Sequence, residues 1–266
     1  MIQNETVLLT GATYGIGYEL AKLFARDRNH LILVARTPTV LTKVAAELKL
    51  MNAASVVCLV KDLSKAQAAE ELFDEITKRH GQVDILVNNA GFGGYGSFLQ
   101  TDWHHERDMI QTNIISLVHL TKLFLPPMIQ RQKGRIVNLA STAAYQPGPF
   151  MAIYYASKSF VLSFSEALYE ECKGTGVTVT AICPGPTATE FQARARVQGT
   201  GTAETRNSLL KMMDAAMVAR LGYKGMLAGK RVVITGVTNR FGAWCGRHLP
   251  RSLTMAAIKQ LHKAKR

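Results

Sequence analysis

After Asp214 the sequence has no acidic residue: all 19 Asp and Glu lie at or before it, while 11 of the 32 Lys and Arg lie beyond it. The formal charge of +13 therefore divides into +2 for residues 1–214 (21 basic against 19 acidic) and +11 for the last 52 residues. A uniformly basic chain would point to a polyanionic partner; this division confines that reading to the C-terminal fifth. Cysteine is sparse too. Cys58, Cys172, Cys183 and Cys245 lie far apart with no C-x-x-C pair, and two sit in apolar strand-like runs. That spacing argues against a disulfide scaffold and a metal site and for reduced thiols. No uninterrupted apolar run approaches the roughly 18 residues that span a bilayer. Residues 1–5 lack the basic flank and apolar core of a signal peptide, so a cytoplasmic location is expected. There is no repeat, low-complexity tract or Pro/Gly/Ser-rich linker, and a chain that is 47% apolar and 19% charged is not compositionally disordered. One domain over residues 1–266 is the economical reading.

What is present is an alternation. Short β-branched runs at 6–10, 31–35, 56–60, 85–88, 135–139, 177–182 and 231–235 are separated by helix-length segments, among them 15–26, 39–50, 65–80, 106–132 and 154–172. Such alternation predicts an α/β fold, a doubly wound parallel sheet of Rossmann type with helices on both faces. Strand runs such as Leu31-Ile32-Leu33-Val34-Ala35 are apolar throughout, as burial of both faces requires. In this architecture ligands bind beyond the carboxyl ends of the strands, so the chemistry is sought there.

The first strand is followed by Thr10-Gly11-Ala12-Thr13-Tyr14-Gly15-Ile16-Gly17 and then a helical pattern. Glycines allow a tight turn and close approach to a pyrophosphate, whose charge is favoured by the free N–H groups of a helix start. The spacing T-G-x-x-x-G-x-G resembles the compact, single-domain branch of the short-chain dehydrogenase/reductase family, and further motifs follow in the family's order. Asp62-Leu63 ends the third strand, where the family's Asp reads the adenine amino group. Asn88-Asn89-Ala90-Gly91 ends the fourth, where its backbone lies along the adenosine ribose. Pro184-Gly185-Pro186-Thr187-Ala188-Thr189 follows the sixth, where backbone and Thr189 hold the nicotinamide carboxamide. The match runs from residue 6 to about 190, with weaker agreement to 236.

Cofactor selectivity is read at the end of the second strand. An NAD-selective enzyme places an acidic residue there to bond the ribose hydroxyls. Here Ala35 is followed by Arg36, which removes repulsion against a 2′-phosphate and supplies a charge-assisted partner. NADP(H) is therefore favoured, with NAD(H) as the lesser alternative; Tyr14 stands where some NADP-preferring relatives carry a further basic residue.

Tyr154 and Lys158 are spaced i, i+4 near a helix start and so share a face. A phenol of ordinary pKa near 10 is a poor acid–base catalyst at neutral pH, and a neighbouring ammonium favours its phenolate. Ser141 ends the fifth strand thirteen residues before Tyr154, where its hydroxyl could bond the substrate oxygen. Asn113, in Gln111-Thr112-Asn113-Ile114, matches the family's fourth catalytic residue, whose expected role is to hold a water linking Lys158 to solvent. Tyr155 has no lysine four residues on and is read as core packing. The resemblance implies hydride transfer between NADP(H) and a carbonyl or alcohol, the chemistry of EC 1.1.1.-. The alternative is a catalytically silent NADP-binding regulator on the same scaffold.

Three segments should surround the substrate: 92–98, 146–153 and a 190–229 insertion. In the insertion Leu209, Leu210, Met212, Met213, Ala216, Met217 and Leu221 form a Met-rich helical face, read either as a helix packed on the body or as a mobile lid. Both favour an apolar substrate. His104-His105 reads as a solvated turn. The run 235–242 mimics a second glycine loop but is discounted because no strand–helix unit follows it. Cys245 and His248 lack the partners of a zinc site. In the 237–266 extension, Leu253, Met255, Ala256, Ile258 and Leu261 with Arg251, Lys259, Lys263, Lys265 and Arg266 could form a basic amphipathic helix on an anionic membrane, close the substrate pocket or a subunit interface, or be a solvated helix. No motif beyond charge points to nucleic acid. A homodimer or homotetramer through the helices carrying Asn113 and Tyr154 is expected by resemblance.

Overall fold

The computed structural model describes residues 2–189 and 212–263, apart from the side chains of Leu261 and Lys263. Seven strands form one parallel sheet: β1 (Thr6–Thr10), β2 (His30–Ala35), β3 (Ser55–Val60), β4 (Ile85–Asn88), β5 (Gly134–Leu139), β6 (Val177–Cys183) and β9 (Val232–Ile234). Their order is β3-β2-β1-β4-β5-β6-β9. Two-residue strands β7 (Thr187–Ala188) and β8 (Met213–Asp214) pair separately. The predicted strand positions hold to within a residue at each end.

The pleat divides the core. Val7 and Leu9 of β1 face α1 (Gly15–Arg26), α2 (Pro38–Leu50) and α7 (Ala215–Leu227), joining Leu20, Phe24, Leu41 and Tyr223. Leu8 faces the other way, joining Leu72 and Ile76 of α3 (Ala68–Arg79) and Leu120, Phe124 and Met128 of α5 (Leu117–Gln130). Because all strands are parallel, the residues after β1, β4, β5 and β6 come out on one edge.

The predicted helix over 106–132 is compound: α4 (Trp103–Ile110), a π-helical segment Gln111–Ser116 and then α5. Asp102 starts it as an N-cap, accepting from the His105 N–H at 3.0 Å, which is the role of the His-His region. The continuous stretch Trp103–Gln130 is, by length and composition, apolar enough to cross a membrane. It packs on the sheet through Leu117, Leu120, Phe124 and Met128 and places Asn113 at the site edge, which is the behaviour of a core helix.

Of the Met-rich insertion, Leu209 and Leu210 lie outside the described residues. The described part is a helix packed on the body, but not through Met212 or Met217. Met212 and Met217 are exposed, and the buried face is Ala215, Val218, Ala219, Gly222, Tyr223, Gly225 and Met226. Gly222 and Gly225 let α7 approach the sheet: a Cβ there would stand 2.5 Å from Ile182 and 2.2 Å from Val233. Tyr223 packs edge-on to Phe24 and donates to Asp27 at 2.7 Å.

Candidate active site

The glycine-rich turn is held by two polar side chains. The Thr10 hydroxyl donates to the Val87 carbonyl at 3.2 Å and accepts from the Asn89 and Ala90 N–H groups at 3.1 and 3.0 Å. Asn89 returns its Nδ2 to the Thr10 and Gly11 carbonyls, both at 2.9 Å. Gly11 and Gly15 have φ of +69° and +57°, the left-handed region that glycine enters without strain. A Cβ on Gly17 would sit 2.2 Å from Asn89 Nδ2 and 2.4 Å from the Gly11 carbonyl. Tyr14 is the N-cap of α1, with no side-chain cap bond and no acid in the first turn, so Gly15, Ile16 and Gly17 offer the uncapped N–H groups that an anion takes. Thr13 lies partly exposed beside them. Thr189 borders the same cleft, its Cγ2 2.8 Å from where a Gly15 Cβ would stand.

The other candidate cofactor residues lie at neighbouring strand ends. Arg36 is exposed directly after β2 and forms no ion pair among the described residues. Asp62 makes a tight turn, accepting from the Ser64 N–H at 3.1 Å, and Leu63 is fixed by its carbonyl accepting from Ser116 at 2.7 Å. Asn89, Ala90 and Gly91 are partly exposed. The Pro184 carbonyl accepts from the Ser141 hydroxyl at 3.4 Å and the Thr142 N–H at 2.9 Å, while Thr187 bonds the Gly185 carbonyl at 2.9 Å. Gly185 also has a packing role: a Cβ would collide with Asn239, 2.2 Å away. A cradle of missing Cβ atoms and free N–H groups, with a guanidinium that forms no ion pair among the described residues at its edge, fits a dinucleotide.

A buried polar ladder places the next element. Asn88 Nδ2 donates to Asn138 and Thr121 at 2.9 and 3.1 Å, and Asn138 donates to Ser165 at 2.9 Å. This ties β4, β5 and α5 to α6 (Ala152–Glu171), the helix carrying Tyr154 and Lys158. Ser141 caps the 3-10 turn Thr142–Tyr145, accepting from the Ala143 N–H at 3.1 Å. Its hydroxyl also bonds the Tyr154 phenol. Lys158 is buried, its ammonium donating to the Leu139 carbonyl at 2.7 Å and lying 5.9 Å from the Tyr154 ring centre. Asn113 bonds the Phe92 backbone at both ends of its amide, 3.1 and 3.0 Å, and donates to Ser157 at 3.1 Å; Ser157 in turn bonds the Tyr154 carbonyl at 2.7 Å. It sits on the π-helical segment, a distortion frequent at functional sites. All four candidate catalytic residues are thus brought together.

The electrostatics correct one expectation. The Tyr154 phenol is not brought down. Burial pushes its pKa up, opposed by the bond to Ser141. Burial also pushes Lys158 down to about 8, because a buried ammonium loses more hydration than one carbonyl restores. Near neutrality the pair is therefore a protonated phenol beside an ammonium that is still mostly protonated.

Tyr155 is likewise not simple core packing. Its hydroxyl lies 3.3 Å from His262 Nε2, and the rings meet edge-on at 5.7 Å. His262, buried on α9 (Arg251–Lys263), places Nδ1 2.6 Å from the Pro149 carbonyl, and its own carbonyl accepts from Tyr95 at 2.8 Å. A carbonyl can only accept, so in the neutral ring Nδ1 carries the proton and Nε2 accepts from Tyr155. The end of α9 is thereby pinned to the 92–98 and 146–153 segments. His262 and Thr10 are the site-shaping residues that sequence reasoning passed over. The i, i+4, i+8 spacing of Thr254, Ile258 and His262, the face α9 turns inward, was a readable signal for the first. The tail's apolar side chains do not share a face: Leu253 and Met255 are exposed while Ile258 is half-buried. Lys265 and Arg266 lie outside the described residues.

The 235–242 run is the turn from β9 into α8 (Val237–His248), with Gly236 at φ of +87°, and among the described residues no further strand follows it. The space above Gly236 is filled by Met213 and Asn239, 2.8 and 3.3 Å from a hypothetical Cβ, so the turn is a packing joint.

Comparison with known proteins agrees with this geometry. The family profile for short chain dehydrogenases matches residues 5–199. The chain belongs to the short-chain dehydrogenase/reductase family of oxidoreductases. It is 32% identical over 184 residues to the ketoacyl reductase HetN of Nostoc, covering 69% of this chain and 64% of that protein. Its fold matches a short-chain dehydrogenase from Sphingobium yanoikuyae in complex with NADPH, with a TM-score of 0.80 and 31% identity over 91% of this chain and 92% of that one. It also matches a family member from Burkholderia phymatum in complex with NAD, with a TM-score of 0.82 and 25% identity over 96% and 97% of the two chains. Those two proteins hold NADPH and NAD respectively.

The close packing around Gly17 gives a direct test. Gly17→Ala is expected to cost about 1–3 kcal/mol of stability and, by displacing the Gly11 carbonyl and Asn89 that shape the turn, to weaken NADPH binding about tenfold while the protein stays folded. Titration of NADPH fluorescence checks it, and unchanged affinity would refute the tight-turn reading.

Proposed function

We propose that the protein is an NADP(H)-dependent oxidoreductase that interconverts a carbonyl and an alcohol on an apolar small molecule. The observation that carries this reading is the convergence of Ser141, Tyr154 and Lys158 at the carboxyl edge of the sheet, with the phenol held in its proton-bearing form. A bound nicotinamide cofactor would supply the hydride. The chain's own residues supply the rest. Ser141, already bonded to the phenol, orients the carbonyl oxygen between the two hydroxyls. Tyr154 donates its proton to that oxygen as negative charge develops there, a contribution of general-acid type. Lys158, protonated below about pH 8, stabilises the phenolate left behind. Asn113 fixes the Phe92 backbone and the first turns of α6, holding Tyr154 and Lys158 in register. A Cβ at Gly91 would stand 2.9 Å from Asn113 Oδ1 and 3.5 Å from Lys158 Nζ, so a glycine here lets the chain pass close to both.

Residues 11–17, 62–63, 89–91 and 184–189 would cradle the dinucleotide, and Arg36 the 2′-phosphate. Phe150, Tyr95 and Tyr155, gathered around His262, support an apolar substrate. Ile115 and Phe160 are exposed on the helices carrying Asn113 and Tyr154, which supports association of copies through that face.

Two substitutions test the assignment. With a carbonyl panel followed by NADPH absorbance, Tyr154→Phe should lower turnover about 10²- to 10⁴-fold while NADPH binding persists; undiminished turnover would sink the mechanism. Arg36→Ala should raise the KM for NADPH about tenfold or more, through loss of a charge-assisted bond, and leave the KM for NADH unchanged. Equal effects on both cofactors would remove Arg36 from selectivity.

A further inference from the structure

The +11 surplus has a place in the fold that the oxidoreductase site does not use. Helix α8 presents Val237, Phe241, Trp244 and His248 at i, i+4, i+7 and i+11, one face of a helix. Val237 is 79%, Phe241 67% and Trp244 53% exposed. Phe241 and Trp244 stack with ring centres 6.2 Å apart, and Trp244 and His248 at 5.0 Å. The opposite face is spent on the body: Ala243 is buried, Asn239 lies against Gly185, and Gly246 meets Gln146. Leu249 and Leu253 continue the exposed apolar surface, and Arg240, Arg247, Arg251 and Lys259 are exposed around it. Beside Trp244 lies a groove of about 480 Å³ whose cations are Lys230, Arg231, Arg240 and Arg247. Its one acid, Glu166, is already paired with Arg231 at 3.3 Å.

We infer that the α8 face is a docking surface for an anionic lipid bilayer, with Phe241 and Trp244 entering the headgroup boundary and the groove cations taking lipid phosphates. Aromatic and aliphatic side chains on one helical edge, flanked by arginine, are the composition of an interfacial helix. A row of apolar side chains about 10 Å long, extended by the stacked His248 ring, on a convex helix matches a plane better than a pocketed protein partner. A second copy is disfavoured by symmetry. A two-fold contact places a patch on itself, and here it would oppose cations with cations, since the acids beside the groove, Glu166 and Glu170, are already taken by Arg231, while Lys230, Arg240 and Arg247 are left over among the described residues. The inference does not depend on the oxidoreductase reading.

The chain contains two tryptophans, Trp103 and Trp244, so Trp103→Phe leaves Trp244 as the only reporter. At low salt, where surface charge is least screened, vesicles of about 30% phosphatidylserine in phosphatidylcholine should shift its emission to shorter wavelength and sediment most of the protein. Phosphatidylcholine alone should do neither, and about 0.5 M NaCl should release the protein. Arg240→Glu with Arg247→Glu should abolish sedimentation while circular dichroism and NADPH binding persist. Protein remaining in the supernatant, sedimentation without a Trp244 shift, or a lipid-free dimer dispersed by Phe241→Ser would each overturn the proposal.

Discussion

The 2.7 Å bond from the Lys158 ammonium to the Leu139 carbonyl is the constraint around which the catalytic end of the molecule is arranged. It places a buried cation at the end of β5, where one carbonyl and the nearby aromatic face of Tyr154 offset part of its lost hydration. The cost of that burial is visible in the lowered pKa of the amine. The structure tolerates it because α6 is held independently, by the Asn88–Asn138–Ser165 ladder within the sheet and by Asn113 and Ser157 at its first turns. Tyr154 is thus positioned from two sides, neither of which is the substrate.

The same economy governs the cofactor edge. Thr10 and Asn89 between them make five bonds joining the turn after β1 to the end of β4. The glycines can then go without side chains that would stabilise the loop, leaving N–H groups and space for a pyrophosphate. Rigidity comes from neighbours, and access comes from absence.

Much of this was legible in the sequence because it rests on local rules. Apolar runs bounded by turn residues located the strands, and the i, i+4 pair of Tyr154 and Lys158 located the catalytic face. What escaped was set by distant parts of the chain. Burial, not the adjacent ammonium, governs the Tyr154 phenol, and burial depends on packing that spacing does not encode. Tyr155 looked like core because its partner, His262, lies 107 residues away. The break of the 106–132 helix into a π-helical segment follows from fitting Asn113 against the Phe92 backbone, again a tertiary demand. The Met-rich insertion showed composition correctly but not orientation: glycine and alanine, not methionine, decide how closely α7 meets the sheet.

A near-neutral catalytic body therefore carries a strongly basic C-terminal portion, whose last helix is pinned over the substrate side by His262. The central claim is that Lys158 must be charged for Tyr154 to give up its proton. Lys158 is depressed to about 8, so its charge is complete at lower pH and lost as pH rises through that value. The pH dependence of kcat/KM for carbonyl reduction at saturating NADPH tests this most directly. A rate that is level on the acid side and falls above about pH 8 is the predicted result; a rate that stays level to pH 10 would contradict it.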